Sequence, residues 1–293
     1  MPGFAFPIRR PASWRVRGRS LDTATRPLVM GVLNVTPDSF SDGGLYVGAE
    51  AAVRRGLEML AEGADLVDVG GESTRPGAEP VPAAAELDRV LPVVRALAAA
   101  GAVVSLDTAK AEVAAAALEA GAAVVNDVTA LGDPEMAGVV ARSGAGVVLM
   151  HMQGTPRTMQ DDPHYDDVVA EVAAFLSGRA AAAVATGIDP GAVCLDPGLG
   201  FGKRLEHNLA LLAGMPRLAA LGFPVLVGAS RKRFLAEILG PIPPAERDAA
   251  TAAAHVLAIA GGASVIRTHN VVVGLQTARV ADAIVRAVPA SEG

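Results

Sequence analysis

The sequence has little cysteine, few aromatic residues and few lysines, and each shortage narrows what the chain can be. Cys194 is the single cysteine in 293 residues, so no internal disulfide forms, and its apolar neighbours predict a small buried side chain rather than a nucleophile. Aromatic residues are 3% of a chain that is 51% hydrophobic, so the core must be built from Ala, Val and Leu. Lys110, Lys203 and Lys232 are the three lysines among 25 basic residues, and each follows a predicted strand. Lysine and arginine differ in geometry and hydration, so these lysines are candidate functional groups.

The sequence also lacks the features of membrane and nucleic-acid-binding proteins. It has no unbroken apolar run of about 18 residues, the length that a membrane-spanning helix needs. A formal net charge of −6 provides no general basic surface for nucleic acid or anionic lipid. Residues 1–14 contain no apolar core long enough for a signal peptide. We therefore predict a cytoplasmic protein that binds neither nucleic acid nor membranes and that holds any anionic ligand by a local cluster of positive groups.

Apolar, strand-like runs alternate with helical patterns from Leu28 onward. The first run leads at Asn34 into a polar loop that is longer than a strand-to-helix turn needs, which is typical of a functional loop. The eight predicted strands are Leu28–Leu33, Leu66–Val69, Val103–Asp107, Ala123–Asn126, Gly146–His151, Ala192–Asp196, Pro224–Gly228 and Ser264–Thr268. Eight strands, each followed by a helix, favour a closed (β/α)8 TIM barrel over an open doubly wound sheet.

The predicted domain organisation is a single barrel with a short N-terminal extension. The extension covers residues 1–27 and is predicted to form a hairpin that turns at Gly18 and caps the barrel, which itself covers residues 28–288. Among the barrel helices, Arg204–Leu221 is expected to be continuous and to end at Gly222. Pro92 is expected to kink or restart the helix in which it lies.

Polar residues end every predicted strand, and in a TIM barrel the C-terminal strand ends form the mouth where ligands bind. An Asp or Asn at a strand end can also be a helix N-cap, so no single position decides the matter. His151 and His255 have apolar neighbours and are expected to be hydrogen-bonded core residues. Eight polar strand ends in one chain, with acidic and basic groups among them, indicate a polar ligand site.

The residues at the strand ends fall into two chemical groups. Carboxylates and amides can match the donor–acceptor edge of a flat heterocycle, and the candidates are Asp107, Asn126 and Asp196. Cationic groups suit a phosphate or diphosphate, and the candidates are Arg75, Lys232, Arg267 and His269. Asn34 offers an oxygen ligand that Mg²⁺ accepts when substrate phosphates supply the others. The glycine-rich stretch ending at Lys203 is not a P-loop, because Arg204 replaces the required Ser or Thr.

Eight motifs stand at these positions, in chain order between Leu28 and Ala287: MGVLNVTPDSFSDGG, DVGGESTRPGAEPV, SLDTAKAEV, NDV, LMHMQGTPRTMQ, LDPGLGFGK, GASRKRF and IRTHN. Together they resemble the dihydropteroate synthases, the folate-pathway enzymes that sulfonamides inhibit. The fold of that family is a (β/α)8 barrel, which agrees with the strand count. The resemblance implies that 6-hydroxymethyl-7,8-dihydropterin diphosphate condenses with 4-aminobenzoate, giving 7,8-dihydropteroate and diphosphate, with Mg²⁺ as cofactor.

The resemblance also implies a role for individual residues. The pterin would be held by Asp107, Asn126, Asp196 and Lys232. The diphosphate would contact Thr74, Arg75, Arg267 and His269, and the 4-aminobenzoate pocket would be formed by Phe40, Pro76, Phe201 and Ser230. The metal ligand would be Asn34, and the residues acting in catalysis would be Asp107, Lys232 and Arg267. Asn270 departs from the family, which usually has Asp after the histidine, and this change is expected to alter how His269 is oriented and charged.

Three other functions stay open on the sequence alone. They are a corrinoid-linked pterin methyltransferase, a pterin-binding paralogue without condensing activity, and a Schiff-base aldolase that uses Lys232. The methyltransferase would not need the PDSFSDGG and STRPG loops, and the paralogue would be expected to have damaged ones. The aldolase would need a dedicated acid–base partner, which the sequence does not reveal. The Ala-rich late helices predict a close-packed homodimer.

Overall fold

A parallel eight-stranded barrel forms the body of the protein. The computed structural model describes residues 13–36, 44–73 and 77–287, without the side chains of residues 44–47. The barrel strands are β3 (Leu28–Asn34), β4 (Leu66–Gly70), β5 (Val104–Asp107), β6 (Val124–Asp127), β7 (Gly146–Met150), β8 (Val193–Asp196), β9 (Leu226–Val227) and β10 (Val265–Thr268). Their order in the sheet is β8-β7-β6-β5-β4-β3-β10-β9. The N–H of Leu195 donates to the carbonyl of Pro224 at 2.9 Å and brings β9 beside β8, which confirms the predicted (β/α)8 barrel.

The helices surround this sheet, and one predicted helix differs from the structure. In the described part of the chain they are α1 (Gly44–Ala61), α2 (Ala83–Ala99), α3 (Ala111–Glu119), α4 (Met136–Ser143), α5 (Val168–Ala185), α6 (Leu205–Ala213), α7 (Met215–Ala219), α8 (Arg233–Leu239), α9 (Asp248–Ala260) and α10 (Val271–Ala287). The predicted helix Arg204–Leu221 is wrong, because Gly214 separates α6 from α7 and Pro216, which has no N–H to donate, lies in the first turn of α7. Pro92 does not restart its helix, since α2 runs through it.

Two apolar layers result from the alternation of side chains along each strand. Val67 and Val69 on β4 point outward and pack in the large layer between sheet and helices. Leu66, on the opposite face, lies in the smaller layer inside the barrel with Val148 and Cys194. Cys194 is fully buried, which confirms its prediction as a core side chain. Asp68 shares the inward face with Leu66 and is also fully buried, although it is charged.

A two-stranded hairpin closes the barrel at the N-terminal ends of the strands. Its strands β1 (Ser13–Val16) and β2 (Arg19–Asp22) pair antiparallel about the turn at Arg17 and Gly18. Trp14 is fully buried in the inner layer, and its indole N–H donates to the carbonyl of Ala192 at 2.9 Å. Because the hairpin packs against the N-terminal ends of the strands, the described part of the chain leaves the C-terminal ends for ligand binding. The division of the chain at residue 27 stays a prediction.

Replacing Trp14 with alanine is expected to lower the free energy of unfolding by about 3–5 kcal/mol, the usual cost of removing a large buried aromatic side chain. The midpoint of urea denaturation, followed by circular dichroism, measures this effect. Arg19→Ala is the matched control, since that side chain is exposed and makes one hydrogen bond to the carbonyl of Gly101. A Trp14→Ala midpoint equal to that of the control would show that the hairpin does not stabilise the barrel.

Helix α5 has the length and apolar composition of a membrane span, alone among the helices in the described ranges. In the barrel, Val172 and Leu176 on this helix are fully buried. Arg179 on the same helix donates from its Nε to the carbonyl of Ala130 at 2.7 Å. With these apolar and charged side chains, α5 packs against the barrel as one of its surrounding helices.

Candidate active site

The strand register brings the predicted site residues to one end of the barrel. Asn34 at the end of β3 pairs with Gly70 on β4, Gly70 pairs with Asp107 on β5, and Asp107 pairs with Asn126 on β6. Asp196 lies at the end of β8, directly across the barrel mouth by strand order. The sequence placed these groups at the ends of separate strands, and the parallel sheet gathers them into one rim.

Arg267 on β10 connects two carboxylates inside this rim. Its Nε donates to Asp68 Oδ2 at 2.6 Å and its Nη2 donates to Asp107 Oδ2 at 2.8 Å. The Arg267 side chain is 22% exposed, against 0% for Asp68 and 11% for Asp107. The guanidinium therefore reaches the mouth while holding both acids. The Arg267 guanidinium is thus already paired with two carboxylates in the protein without ligand.

Asp68 is a member of this group that the sequence analysis missed. Its Oδ1 accepts the hydroxyl of Ser105 at 2.6 Å, and its Oδ2 accepts the Asn126 side-chain amide at 3.0 Å in addition to Arg267. It was missed because it lies in the middle of β4, whereas the search considered strand ends. The signal was present: a charged residue in the apolar run Leu66–Val69 needs a buried partner.

Asp107 has an unusual acidity for a carboxyl group. Burial, which disfavours the charged form, raises its pKa to about 7, and the neighbouring negative charge of Asp68 acts in the same direction. The positive charge of Arg267 opposes both effects. One guanidinium thus serves two carboxylates, and burial favours the protonated form of Asp107 more than it does for an exposed aspartate.

Lys232 and Asp196 form the second charged part of the mouth. Burial lowers the pKa of Lys232 to about 8, while the nearby Asp196 carboxylate opposes the shift. The ammonium donates to the carbonyl of Leu199 and lies 4.3 Å from the centroid of the Phe201 ring. Burial likewise raises the pKa of Asp196, and the Asp196 Oδ1 accepts the N–H of Gly198 at 2.7 Å. A cation, an acid and an aromatic ring therefore share one wall.

The loop that carries Phe201 is held against the end of β7. Lys203 is buried, and its ammonium lies 3.0 Å from His151 Nδ1 and donates to the carbonyl of Phe201 at 2.9 Å. Gly198 has a φ of 66°, and a Cβ at this position would overlap the carbonyl oxygen of His151. The glycine is therefore required for the close approach of loop and strand. His151 and His255 are both buried and hydrogen-bonded, which confirms their prediction as core residues.

His269 is oriented by Ser230, a contact that the sequence did not predict. The Ser230 hydroxyl accepts the backbone N–H of His269 at 3.1 Å and lies 2.9 Å from its Nδ1. The Asn270 side chain donates from its Nδ2 to Asp248 Oδ2 at 2.8 Å. Asp248 also binds Arg231 and is a nearby negative charge for His269. Asp248, Arg231 and Asn270 thus form one hydrogen-bonded cluster near His269.

Four predicted site residues cannot be placed in this way. Phe40, Thr74, Arg75 and Pro76 lie outside the described residues. The neighbouring residues that are described show how the second loop is attached. Lys110 pairs with Glu72 at 2.5 Å and with the buried Glu86 at 2.6 Å.

Comparisons with known proteins decide the family. A model of the family described as "Pterin binding enzyme" matches residues 30–269. The dihydropteroate synthase of Mycobacterium leprae (strain TN) is 50% identical over 271 residues, which are 90% of this chain and 95% of the relative. The chain belongs to the dihydropteroate synthase family. The alternatives of a corrinoid-linked methyltransferase and of a non-condensing paralogue are less well supported than this assignment.

Solved dihydropteroate synthases share the whole barrel with this chain. The Xanthomonas albilineans enzyme with 4-aminobenzoic acid has a TM-score of 0.87 at 50% identity and covers 94% of this chain and 100% of its own. The same organism's enzyme in complex with 7,8-dihydropteroate has a TM-score of 0.84 at 47% identity, with 94% and 100% covered. The likeness therefore extends over the barrel and its mouth and is not confined to a motif.

The magnesium implied by the dihydropteroate synthase resemblance was tested against the donor groups at the mouth. Among the residues that the structure describes, no three His, Cys, Asp or Glu side chains group closely enough to hold a metal ion. Asn34 and Asp107 face each other across Gly70, where an added Cβ would lie 3.8 Å from Asn34 Oδ1 and 3.9 Å from Asp107 Oδ2. One amide oxygen at an open rim fits an ion that takes its other ligands from substrate phosphates and water.

Proposed function

We propose that this chain condenses 6-hydroxymethyl-7,8-dihydropterin diphosphate with 4-aminobenzoate, releasing diphosphate. It is a transferase of the dihydropteroate synthase family, and the observation that carries the choice of substrates is the convergence of Asp107, Asn126, Asp196 and Lys232 at one barrel mouth. The crystallised relatives bind 4-aminobenzoic acid and 7,8-dihydropteroate. The acidic, amide and basic groups in this mouth are suited to binding the same two compounds.

The pterin ring is bound through its hydrogen-bonding edge. A 7,8-dihydropterin carries N–H donors at its amino group and on both rings, and carboxylate and amide oxygens are their natural acceptors. We assign these acceptors to Asp107, Asn126 and Asp196. Lys232 supplies a donor for a ring acceptor, and its place beside the Phe201 ring supports contact with a flat ligand.

The condensation replaces one bond at the pterin methylene carbon. The C–O bond to diphosphate breaks, a C–N bond to the amine of 4-aminobenzoate forms, and the amine loses one proton. Positive charge develops on the methylene as the diphosphate leaves, and the ionised Asp107 stabilises that charge. Arg267 holds Asp107 in place and presents its remaining exposed surface to the leaving group. No covalent bond between protein and substrate is required.

The remaining assignments concern the diphosphate, the metal ion and the 4-aminobenzoate. Arg75 and Arg267 supply positive charge for the diphosphate, which Thr74 and His269 also contact, and Asn34 holds Mg²⁺. When bound, the ion neutralises charge on the leaving diphosphate. Phe201 and Ser230 line the 4-aminobenzoate pocket with Phe40 and Pro76. The contact between the Ser230 and His269 side chains supports the assignment of Ser230. It places the proposed aminobenzoate pocket next to the proposed diphosphate site.

Incubation of the purified protein with both substrates and Mg²⁺ tests the activity. We expect diphosphate to be released only when 4-aminobenzoate is present and in equal amount to 7,8-dihydropteroate, measured by a coupled phosphate assay and by mass spectrometry. Diphosphate release without 4-aminobenzoate would indicate hydrolysis of the pterin substrate. Binding of the pterin without any product would support the non-condensing paralogue.

We further propose that the protein is cytoplasmic. We also propose that it forms a homodimer through α9 and α10. Leu257 on α9 is 60% exposed, and Val280 and Ile284 on α10 are 59% and 53% exposed. These two helices pack against each other, so their apolar side chains form a patch of the kind that marks an interface. The single cysteine is buried and unpaired, which suits a reducing compartment.

Replacing Leu257 with glutamate is expected to turn the dimer into a monomer, because a charge would be buried against an apolar partner surface. Sedimentation velocity measures the change in mass. Leu239→Glu is the matched control, since Leu239 is 52% exposed on α8, outside the proposed interface. A wild-type protein that sediments as a monomer would contradict the proposal.

A further inference from the structure

The buried carboxylate of Asp68 has all its contacts inside the protein. Ser105 donates to one oxygen at 2.6 Å, and Asn126 and Arg267 donate to the other at 3.0 and 2.6 Å. The Asp68 side chain is 0% exposed, so it does not reach a ligand in the mouth. Two of its three partners, Asn126 and Arg267, do line the mouth.

The chemistry of this contact fixes which way the Asn126 amide faces. An ionised carboxylate only accepts hydrogen bonds, so the Asn126 group that faces Asp68 must be the NH₂. The carbonyl oxygen of the same amide is then directed away from Asp68, on the side of the ligand. Without this constraint, a rotation of the amide by 180° would replace an acceptor by a donor. An acceptor at the rim can bind an N–H of the pterin, whereas a donor at the same place could not form a hydrogen bond with that N–H.

Arg267 is held by the same oxygen. Its Nε points at Asp68, and this orientation leaves Nη2 for Asp107. The position of the Asp107 carboxylate is therefore linked to Asp68 through one guanidinium. Charge is also relevant, since an arginine between two acids would be left with one partner if Asp68 were removed.

We propose that Asp68 is a positioning residue that sets the hydrogen-bonding polarity of the pterin site by fixing the Asn126 amide and the Arg267 guanidinium. This inference rests on the proposed function, because it takes the pterin as the ligand of the mouth. It concerns the selection and orientation of the pterin and predicts no role in binding 4-aminobenzoate. A purely structural role would instead disturb both substrates, since both bind in the same mouth.

Three single variants separate these roles. Asp68→Ala removes the acceptor and frees the amide, and it is expected to raise the KM for the pterin diphosphate tenfold or more while the KM for 4-aminobenzoate stays within twofold. Asp68→Asn is the conservative variant: its new amide can donate to Ser105 and still accept from Asn126, so most of the pterin affinity is expected to return. Ser105→Ala is the matched control, because it removes one contact from Asp68 but leaves both contacts to the mouth, and a change below threefold is expected.

A double variant covers the case in which Asp68→Ala does not fold. In Asp68→Asn combined with Ser105→Ala, no hydroxyl fixes the new amide, which can then turn its NH₂ toward Asn126. The pterin KM is expected to rise by more than the product of the two single effects. Three results would overturn the proposal. The first is an equal change in the KM values of both substrates, and the second is a pterin KM for Asp68→Ala within twofold of wild type. The third is a pterin KM in the double variant that equals the product of the two single effects.

Calorimetry with 6-hydroxymethyl-7,8-dihydropterin separates this inference from the proposed activity. It measures pterin affinity without turnover, so the ranking wild type, Asp68→Asn, Asp68→Ala can be obtained even if the wild-type protein does not condense the substrates. The expected ranking of pterin affinities without any product formed would refute the proposed condensing activity but support the role of Asp68. Normal turnover in the wild type with equal pterin affinity in all three proteins would do the opposite.

Discussion

Replacing Asp107 with asparagine is expected to lower kcat about a hundredfold, the usual effect of removing one group that stabilises developing charge in a closed site. The substitution keeps the size of the side chain and its contact with Arg267 but removes the negative charge beside the pterin methylene. The KM for 4-aminobenzoate is expected to change little. Steady-state release of diphosphate, with both substrates varied, measures these quantities.

Asp189→Asn is the control for this variant, because Asp189 also pairs with an arginine but lies near the N-terminal hairpin at the other end of the barrel. Its turnover is expected to equal that of the wild type. If Asp107→Asn turned over within threefold of the control, the stabilising role assigned to Asp107 would be wrong, even if the protein were a dihydropteroate synthase.

Asp107 also predicts a dependence of activity on pH. Burial and the negative charges of Asp68, Glu86 and Asp127 raise its pKa, Arg267 lowers it, and the result is about 7. The active form is ionised, so kcat/KM for the pterin diphosphate is expected to fall as the pH decreases below about 7. The Asp107→Asn variant cannot take up this proton, and its profile should lack the acid limb. A limb that persists in the variant would have to come from another group.

Replacing Lys232 with alanine is expected to weaken binding of the pterin diphosphate about a hundredfold. The ammonium is one end of a charged wall that includes Asp196, and its removal takes away the positive charge that most strongly opposes the raised pKa of that buried carboxyl group. Hydrogen bonds to a charged group contribute about 1.5–3 kcal/mol each, and the loss of one such contact corresponds to one or two powers of ten in affinity. Isothermal titration calorimetry in the absence of 4-aminobenzoate measures the dissociation constant.

The neighbouring residue provides a control with the same charge. Arg233 is exposed and pairs with Glu237 on its own helix, so Arg233→Ala is expected to bind the pterin diphosphate as the wild type does. Burial lowers the pKa of Lys232 to about 8, and wild-type affinity should therefore decrease as the pH rises through that value. Equal affinity of Lys232→Ala and Arg233→Ala would refute the assignment of Lys232 to the pterin site.

The sequence was sufficient for the barrel and for most of its rim because both depend on local patterns. Apolar runs of four to six residues that alternate with helical patterns indicated buried strands, and the polar residue that ended each run had to lie at the mouth once the strands were parallel. Asn34, Asp107 and Asp196 were found in this way. The break between α6 and α7 was missed because the apolar pattern continues through Gly214, although Pro216 was a visible reason for a new helix to begin there.

The contacts between strands could not be obtained from local patterns. Asp68 and Arg267 are 199 positions apart, and nothing in either neighbourhood indicates that they pair. The contact between His269 and Ser230, which follows the preceding strand, likewise has no signal in the residues around position 269. The effect of Asn270 on His269 stays a prediction. Charged groups buried in a barrel are satisfied by partners from other strands, so their roles become visible only when the sheet is closed.

The central claim is that acidic, amide and basic groups from separate strands form one site for the pterin ring. A crystal structure of the wild-type protein with 6-hydroxymethyl-7,8-dihydropterin diphosphate and Mg²⁺ tests it most directly. We predict that the ring edge lies within hydrogen-bonding distance of Asp107, Asn126 and Asp196, with the Asn126 carbonyl oxygen toward the ligand and the diphosphate beside His269. A pterin ring bound away from these three side chains, or an Asn126 amide with its NH₂ toward the ring, would contradict the account.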